Sequence, residues 1–326
     1  MQYYKKFISI FFIVPLSIVG FITLYVSLFY AKPESMLLMK LYHDKKATYA
    51  KTIQTRKIVF TSGSNTLYGI NTADIEKTLK IPVVNLAVNG GLHNNYIFYE
   101  AKKTLRPGDI LIVPSEYNHL TWDGELSTAK NEYILAYDRK YFNALPLLEK
   151  VKIINSISLI DIYESITDQY YFNDRAIEIG KETTEKALNK NGDKMDKTGY
   201  EPDKIARTGL GFPLKNEYIF ETKGLKEIVN FNKWCQEHNV TLYMTFPNTI
   251  NFKEYQKQKY KSYFNQLIQF YKNNNIHTLG YPTDFLYPEE YFYDTNYHLN
   301  TKGADIRTKQ LIKLMKSNIA ELSHSQ

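Results

Sequence analysis

The sequence predicts an α/β protein built on a parallel sheet, carried behind an N-terminal apolar helix and interrupted by a helical insertion. Three observations lead there. Short continuous apolar runs alternate with stretches of helical period, and continuous runs mark strands buried on both faces. Turn clusters punctuate those runs at Ser62-Gly63-Ser64, Gly90-Gly91 and Arg106-Pro107-Gly108-Asp109. The 25 positions from Phe7 to Ala31 carry no formal charge.

Bulk composition sets the outer limits. A chain of 326 residues with 44% hydrophobic and 23% charged side chains is globular, with room for about two domains. One cysteine, Cys235, excludes an intramolecular disulfide framework and a multi-cysteine zinc site, but leaves the compartment open.

The apolar N-terminal segment is long enough to cross a membrane: as a helix it would span roughly 37 Å, against about 30 Å of hydrocarbon. It leaves through Leu28-Phe29-Tyr30-Ala31, with large residues where signal cleavage needs small ones. Residues 1–31 therefore read as an uncleaved signal anchor of a single-pass protein in the cytoplasmic membrane. Lys5 and Lys6 precede it, and Lys32, Lys40, Lys45 and Lys46 follow, so the flanking charges do not favour an outward C-terminus. Residues 32–56 read as a juxtamembrane linker helix.

Strands are expected at 57–61, 83–87, 110–113, 240–246 and 276–280. Helices are expected at 71–80, 93–105, 224–238, 252–273 and 301–320. Between 118 and 223 the alternation stops; 131–142 and 144–171 read as helical, and 181–210 lacks an apolar period. The chain thus divides into a first α/β part (57–117), a helical cap insertion (118–223) and a second α/β part (224–326). The alternative is a separate small domain with no part in the site. The stretch 118–225 holds 15 basic and 18 acidic side chains, while 32–117 and 226–326 together hold 24 and 16. The net +7 is therefore a basic scaffold offset by an acidic insertion.

Ligands of parallel sheets bind beyond the carboxyl ends of the strands, where Ser64, Gly90, Gly91 and Pro114–Asn118 fall. A serine at a strand-to-helix turn exposes its hydroxyl there, with backbone N–H groups facing a developing oxyanion. It needs a base, and the base needs an orienting acceptor. Tyr293-Asp294-Thr295-Asn296-Tyr297-His298 offers both, with Asp294 holding the imidazole of His298; His93 and His119 are rival bases. No His or carboxylate pair has ligand spacing that argues for a metal, and no cofactor motif is present.

With these blocks in order, the chain resembles the SGNH/GDSL hydrolase superfamily, in the membrane-anchored branch that includes cell-envelope O-acyltransferases. Ser62-Gly63-Ser64-Asn65 resembles the nucleophile block, and Asn85–Gly91 resembles the glycine block. Pro114-Ser115-Glu116-Tyr117-Asn118 stands in the third block's place, and Asp294–His298 resembles the terminal Asp/His block. Gly63 stands where the usual motif has Asp, the third block lacks Gly-x-Asn-Asp, and Asp294 and His298 are four apart where three is typical.

The resemblance implies a flavodoxin-like three-layer α/β/α sandwich. Its triad would be Ser64, His298 and Asp294, with an oxyanion hole from the N–H groups of Ser64, Gly90 and Gly91 and the side chain of Asn118. The implied activity is extracytoplasmic acyl transfer, as an O-acetyltransferase or esterase, between an acyl donor and a cell-envelope polysaccharide. A multispan membrane acyltransferase would be the partner that supplies the acyl group. Tyr281, Tyr287, Tyr291, Tyr293 and Tyr297 lie beside the Asp/His pair, where flat rings would suit sugar faces. The rival expectation is a non-catalytic envelope assembly protein that keeps the fold to bind glycan or the membrane acyltransferase. No nucleic-acid motif accompanies the basic scaffold.

Overall fold

The computed structural model describes residues 2–30, 34–171, 174–207, 211, 212, 214 and 221–322. The expected end of the anchor at Ala31 and parts of the insertion (172–173, 208–210, 213, 215–220) lie outside the described residues. Five parallel strands form the main sheet: β1 (Ile58–Phe60), β2 (Val83–Asn85), β3 (Ile110–Pro114), β4 (Thr241–Thr245) and β5 (His277–Thr278). In chain order the first helices are α1 (Gln2–Phe29), α2 (Glu34–Thr52), α3 (Ser64–Gly69), α4 (Thr72–Leu79), α5 (His93–Lys102) and α6 (Tyr117–Leu120). Next come α7 (Thr128–Tyr137), α8 (Arg139–Ala144), α9 (Leu147–Ser156), α10 (Leu159–Tyr171), α11 (Asp174–Ala187) and α12 (Pro202–Ala206). The last three are α13 (Lys223–Glu237), α14 (Gln258–Asn273) and α15 (Thr301–Asn318).

The chain forms two compact units: Met1–Lys40 with Leu126–Lys181, and Leu41–Glu125 with Glu182–Gln326. The second unit holds the sheet, in the order β2-β1-β3-β4-β5. Every residue of β1, β2 and β3 is buried, which is why their sequences are apolar without alternation. The chain leaves β1 in one direction to reach β2, then turns back to reach β3 on the other side. Right-handed crossovers then place α4 on one face of the sheet, and α5, α13 and α14 on the opposite face. The packing agrees: Phe98 of α5 stacks on Phe231 of α13 at 4.0 Å, and α15 covers α4, where Thr308 accepts the Asn71 N–H at 2.9 Å. The result is a parallel sheet flanked by helices, the general α/β/α layering. A two-stranded parallel pair, Thr249–Ile250 with Leu286–Tyr287, was not anticipated from the sequence.

At the amino edge, the turn after α5 ends in Asp109, whose carboxylate pairs with the buried Lys57 ammonium at 2.6 Å and accepts the Lys57 N–H at 3.1 Å. Gly108 takes a φ of +91°, which a side chain would resist. Residues 182–200, polar and without an apolar period, belong to this unit through Asp193. Its buried carboxylate accepts from the Thr72 N–H at 2.7 Å, the Thr72 hydroxyl at 2.9 Å, and the amides of Asn85 and Asn189 at 3.0 Å each.

In the first unit, α1 is the one helix among the described residues long and apolar enough to cross a membrane, over Ile10–Leu28, and its side chains are mostly exposed. The Arg139 guanidinium donates to the carbonyls of Val26 at 3.3 Å and Ser27 at 2.7 Å, satisfying acceptors that a helix end leaves open. The two helical stretches expected at 131–142 and 144–171 are four helices. Asp138 caps α8 by accepting the Tyr141 N–H at 3.0 Å, Pro146 precedes α9, and the chain breaks again at Ser158 before α10.

Candidate functional site

The candidate site lies within the second unit, beyond the carboxyl ends of β1, β2 and β3. β1 and β3 are adjacent strands whose connections leave in opposite directions, the place where such sheets open a crevice. After β1, the Ser62 hydroxyl donates to the Pro114 carbonyl at 2.7 Å and ties this exit to the end of β3. Gly63 follows in extended conformation and caps α3 without a side chain. A Cβ on Gly63 would lie 2.6 Å from the Gly90 Cα and would collide with the Glu116 carboxylate. That closeness is the physical reason for glycine at this position. Ser64 is the first residue of α3 and partly exposed; its hydroxyl and its N–H make no hydrogen bond among the described residues.

Asp294 and His298 sit on a loop closed by an antiparallel bridge between Phe292 and Leu299. Inside it, the Tyr293 N–H donates to the His298 carbonyl at 2.8 Å, and the Thr295 hydroxyl accepts the N–H groups of Tyr297 at 3.2 Å and His298 at 3.1 Å. This tight path lets residues four apart meet: His298 Nδ1 lies 2.7 Å from Asp294 Oδ1. A carboxylate only accepts, so Nδ1 carries the proton and Nε2 is left as the basic nitrogen. Burial acts to raise the Asp294 carboxyl, but the His298 hydrogen bond and charge, helped by Lys204, hold it below its ordinary value. Lys204 belongs to α12, and the adjoining Glu201 N–H donates to the Tyr293 carbonyl at 2.7 Å. The far end of the expected insertion therefore flanks the Asp294 loop.

The link to Ser64 is Tyr68. One turn on from Ser64 along α3, the Tyr68 ring stacks flat on the His298 ring at 4.1 Å and 8°. Residues four apart share a helix face, so the imidazole lies against the face of α3 that carries Ser64. No hydrogen bond joins Ser64 to His298 among the described residues. Of the five tyrosines noted near this block, Tyr293 stacks on Tyr68 at 6.5 Å. Tyr287 is instead buried and bonds Gln310 at 2.7 Å, and Tyr281 is exposed.

Gly90 begins a short 3₁₀ turn after β2, and its N–H has no partner among the described residues. The Gly91 N–H is already held by the Asn89 side chain at 2.7 Å. Asn118, on α6, is exposed, and its amide oxygen accepts the His119 N–H at 3.1 Å. The structure does not bring the Asn118 side chain against Gly63 and Gly90; the group there is the buried carboxylate of Glu116. It accepts the Asn65 N–H at 3.2 Å and the Asn65 amide at 3.1 Å. A side chain on Gly90 would collide with it too.

His119 is buried, with Nε2 2.6 Å from the Gly90 carbonyl and 3.8 Å from Glu116. His93 packs on it at 5.9 Å between ring centres. Among the described residues no group of three or more His, Cys, Asp or Glu side chains could hold a metal ion.

Two residues at the site went unread in the sequence. In the sequence Glu116 stands out only as part of the third block. Arg307 of α15 is fully buried; it donates to the Asn65 carbonyl at 3.0 Å and the Phe246 carbonyl at 3.2 Å, and also bonds the Asn248 side chain. Burial lowers its guanidinium to about 10. One signal was available: an arginine between the apolar positions of a core-facing helix needs internal acceptors.

No protein-family model matches the chain, and no curated protein matches it. Among solved structures, a "putative acylhydrolase" from Bacteroides fragilis aligns with 86% of this chain and 94% of its own at 11% identity, with a TM-score of 0.41. Protein YxiM from Bacillus subtilis aligns with 83% of this chain and 58% of its own at 10% identity, with a TM-score of 0.34. Both likenesses are distant, and the chemistry of the site rests on its own residues.

Proposed function

We propose that the chain is a membrane-anchored acyl-transfer enzyme of the SGNH/GDSL type, with a flavodoxin-like sheet and its α/β domain on the extracytoplasmic side. The strand order two-one-three-four-five supports the fold reading. The observation that carries the activity is the Asp294–His298 pair stacked on Tyr68, one helical turn from Ser64.

In this reading the Ser64 hydroxyl attacks the carbonyl of an acyl donor as its proton passes to His298 Nε2. Asp294 stabilises the imidazolium through Nδ1, and the unpaired N–H groups of Ser64 and Gly90 face the oxyanion. Collapse releases the donor's leaving group, which takes the proton from His298. A sugar hydroxyl of a cell-envelope polysaccharide then attacks the acyl-serine, giving its proton to His298. The acyl group moves to the sugar and the proton returns to Ser64. Water in place of the sugar makes the same site an esterase. A multispan membrane partner would deliver the acyl donor.

Ser64→Ala should abolish both acylation of the polymer in cells and labelling of the purified protein by a fluorophosphonate, while the melting temperature stays within a few degrees of the parent. Full complementation by the alanine variant would end the catalytic reading.

Glu116 favours a second reading, a non-catalytic protein that keeps the fold to bind glycan or the membrane partner. A carboxylate packed against Gly63 and Gly90 places negative charge beside the position where an oxyanion would form. Absence of fluorophosphonate labelling in the folded parent, with glycan binding retained, would establish that reading.

A further inference from the structure

We propose that α9 and α10 lie in the membrane interface, with their outward apolar faces buried in the lipid of the leaflet where α1 ends. The inference rests on reading α1 as the membrane span and is independent of acyl transfer.

Each of the two helices is apolar on its outer side. On α9, Leu147, Leu148 and Val151 fall at i, i+1 and i+4, and Leu147 is 77% exposed. On α10, Leu159, Ile160 and Tyr163 repeat that spacing, each 68% exposed. The inner side of α9 is also apolar, with Ile153, Ile154 and the following Ile157 buried within the same unit, while α10 buries Ser165. A helix of a water-facing domain pairs one apolar stripe with a polar one. On α9, apolar residues on both sides call for an apolar medium outside as well as a core inside, and on α10 the apolar side chains are the exposed ones. Contiguous exposed patches of this kind mark interaction surfaces.

Their position selects lipid as the occupant. α9 packs directly on α1, and Arg139 of α8 holds the carbonyls of Val26 and Ser27, at the end of the Ile10–Leu28 span. The start of α8 is thus held where α1 leaves the hydrocarbon, α9 lies against the same span, and α10 follows α9 directly in the chain. Lys150 and Lys152 of α9 suit the phosphate level. Glu149, Asp161 and Glu164 hold the pair at the boundary rather than within the hydrocarbon.

The test uses the full chain in a Cys235→Ala background, reconstituted into vesicles of phosphatidylethanolamine and phosphatidylglycerol. An environment-sensitive fluorophore is placed on single cysteines at Leu148→Cys, Ile160→Cys, Ile18→Cys and Lys186→Cys. Labels at 148 and 160 should shift to the blue and lose at least half their emission to lipids carrying a nitroxide high on the acyl chain. The label at 18 should respond to nitroxides deeper in the chain, and the label at 186 should stay water-like.

Water-like, unquenched labels at 148 and 160 beside a quenched label at 18 would overturn the proposal and leave the anchor standing. Labels shielded from an aqueous quencher but blind to nitroxide lipids would assign the face to a protein neighbour, and would also overturn it. A label at 18 that no nitroxide lipid reaches would overturn the proposal together with the membrane reading of α1.

Discussion

At the scale of single residues, the Asp294–His298 pair sets the expected pH behaviour. The Asp294 carboxyl is held below its ordinary value of 3.8, so the folded state gives up this proton more readily than the unfolded chain. Its stabilising contribution is complete above that ordinary value and disappears as pH falls through the depressed one. The melting-temperature gap between the parent and Asp294→Asn should therefore close as pH falls below about 4. If the proposed chemistry holds, the same variant should lose roughly 10²- to 10⁴-fold in turnover, because the imidazole is no longer held in the productive tautomer. The contact between Asp294 and His298 was legible in the sequence because it is local, four residues within one loop. The place of Glu116 was not, because it depends on Gly63 and Gly90 closing on each other from two different strand ends.

Elements read well where burial alone decides them. The runs 57–61, 83–87 and 110–113 hold fully buried strands, and a stretch covered on both faces has to be apolar; 240–246 holds a strand that is exposed at Thr241 and half-buried at Tyr243. The segment 182–200 could not be read this way, since the Asp193 carboxylate seats it together with only the adjacent apolar pair Ala187 and Leu188. Helix α2 is seated by a buried polar group as well: the Lys46 ammonium donates to the Ala87 carbonyl beyond β2. Burial pushes Lys46 from 10.5 down to about 7, partly offset by the Asp193 charge. Because the folded value lies below the unfolded one, the unfolded chain binds the extra proton between those limits. Stability should then rise as pH goes from about 7 toward 10.5, with the cost of burying this ammonium fully felt below 7. Lys46→Met should flatten that rise, measured as the shift in urea midpoint between pH 7 and pH 10.

For the whole molecule, charge and anchoring are the properties that composition conceals. The mean hydropathy of −0.40 averages over a helix that can cross a membrane, and the net +7 averages over a basic scaffold and an acidic stretch. Lysines on both sides of α1 leave orientation to experiment. A reporter active only outside the cytoplasm, fused after Gln326, should be active; activity of a cytoplasm-only reporter at the same point would overturn the extracytoplasmic placement. The strand order has a further consequence, in the time course of synthesis. β1, β2 and β3 emerge close together, but β3 waits for β4, and 127 positions separate Pro114 from Thr241. At about 5–20 residues per second, the Ile110–Pro114 edge stays unpaired for roughly 6–25 s on every new chain. An apolar edge open that long can pair with a neighbouring chain, so a holding chaperone present during synthesis should raise the yield of this protein.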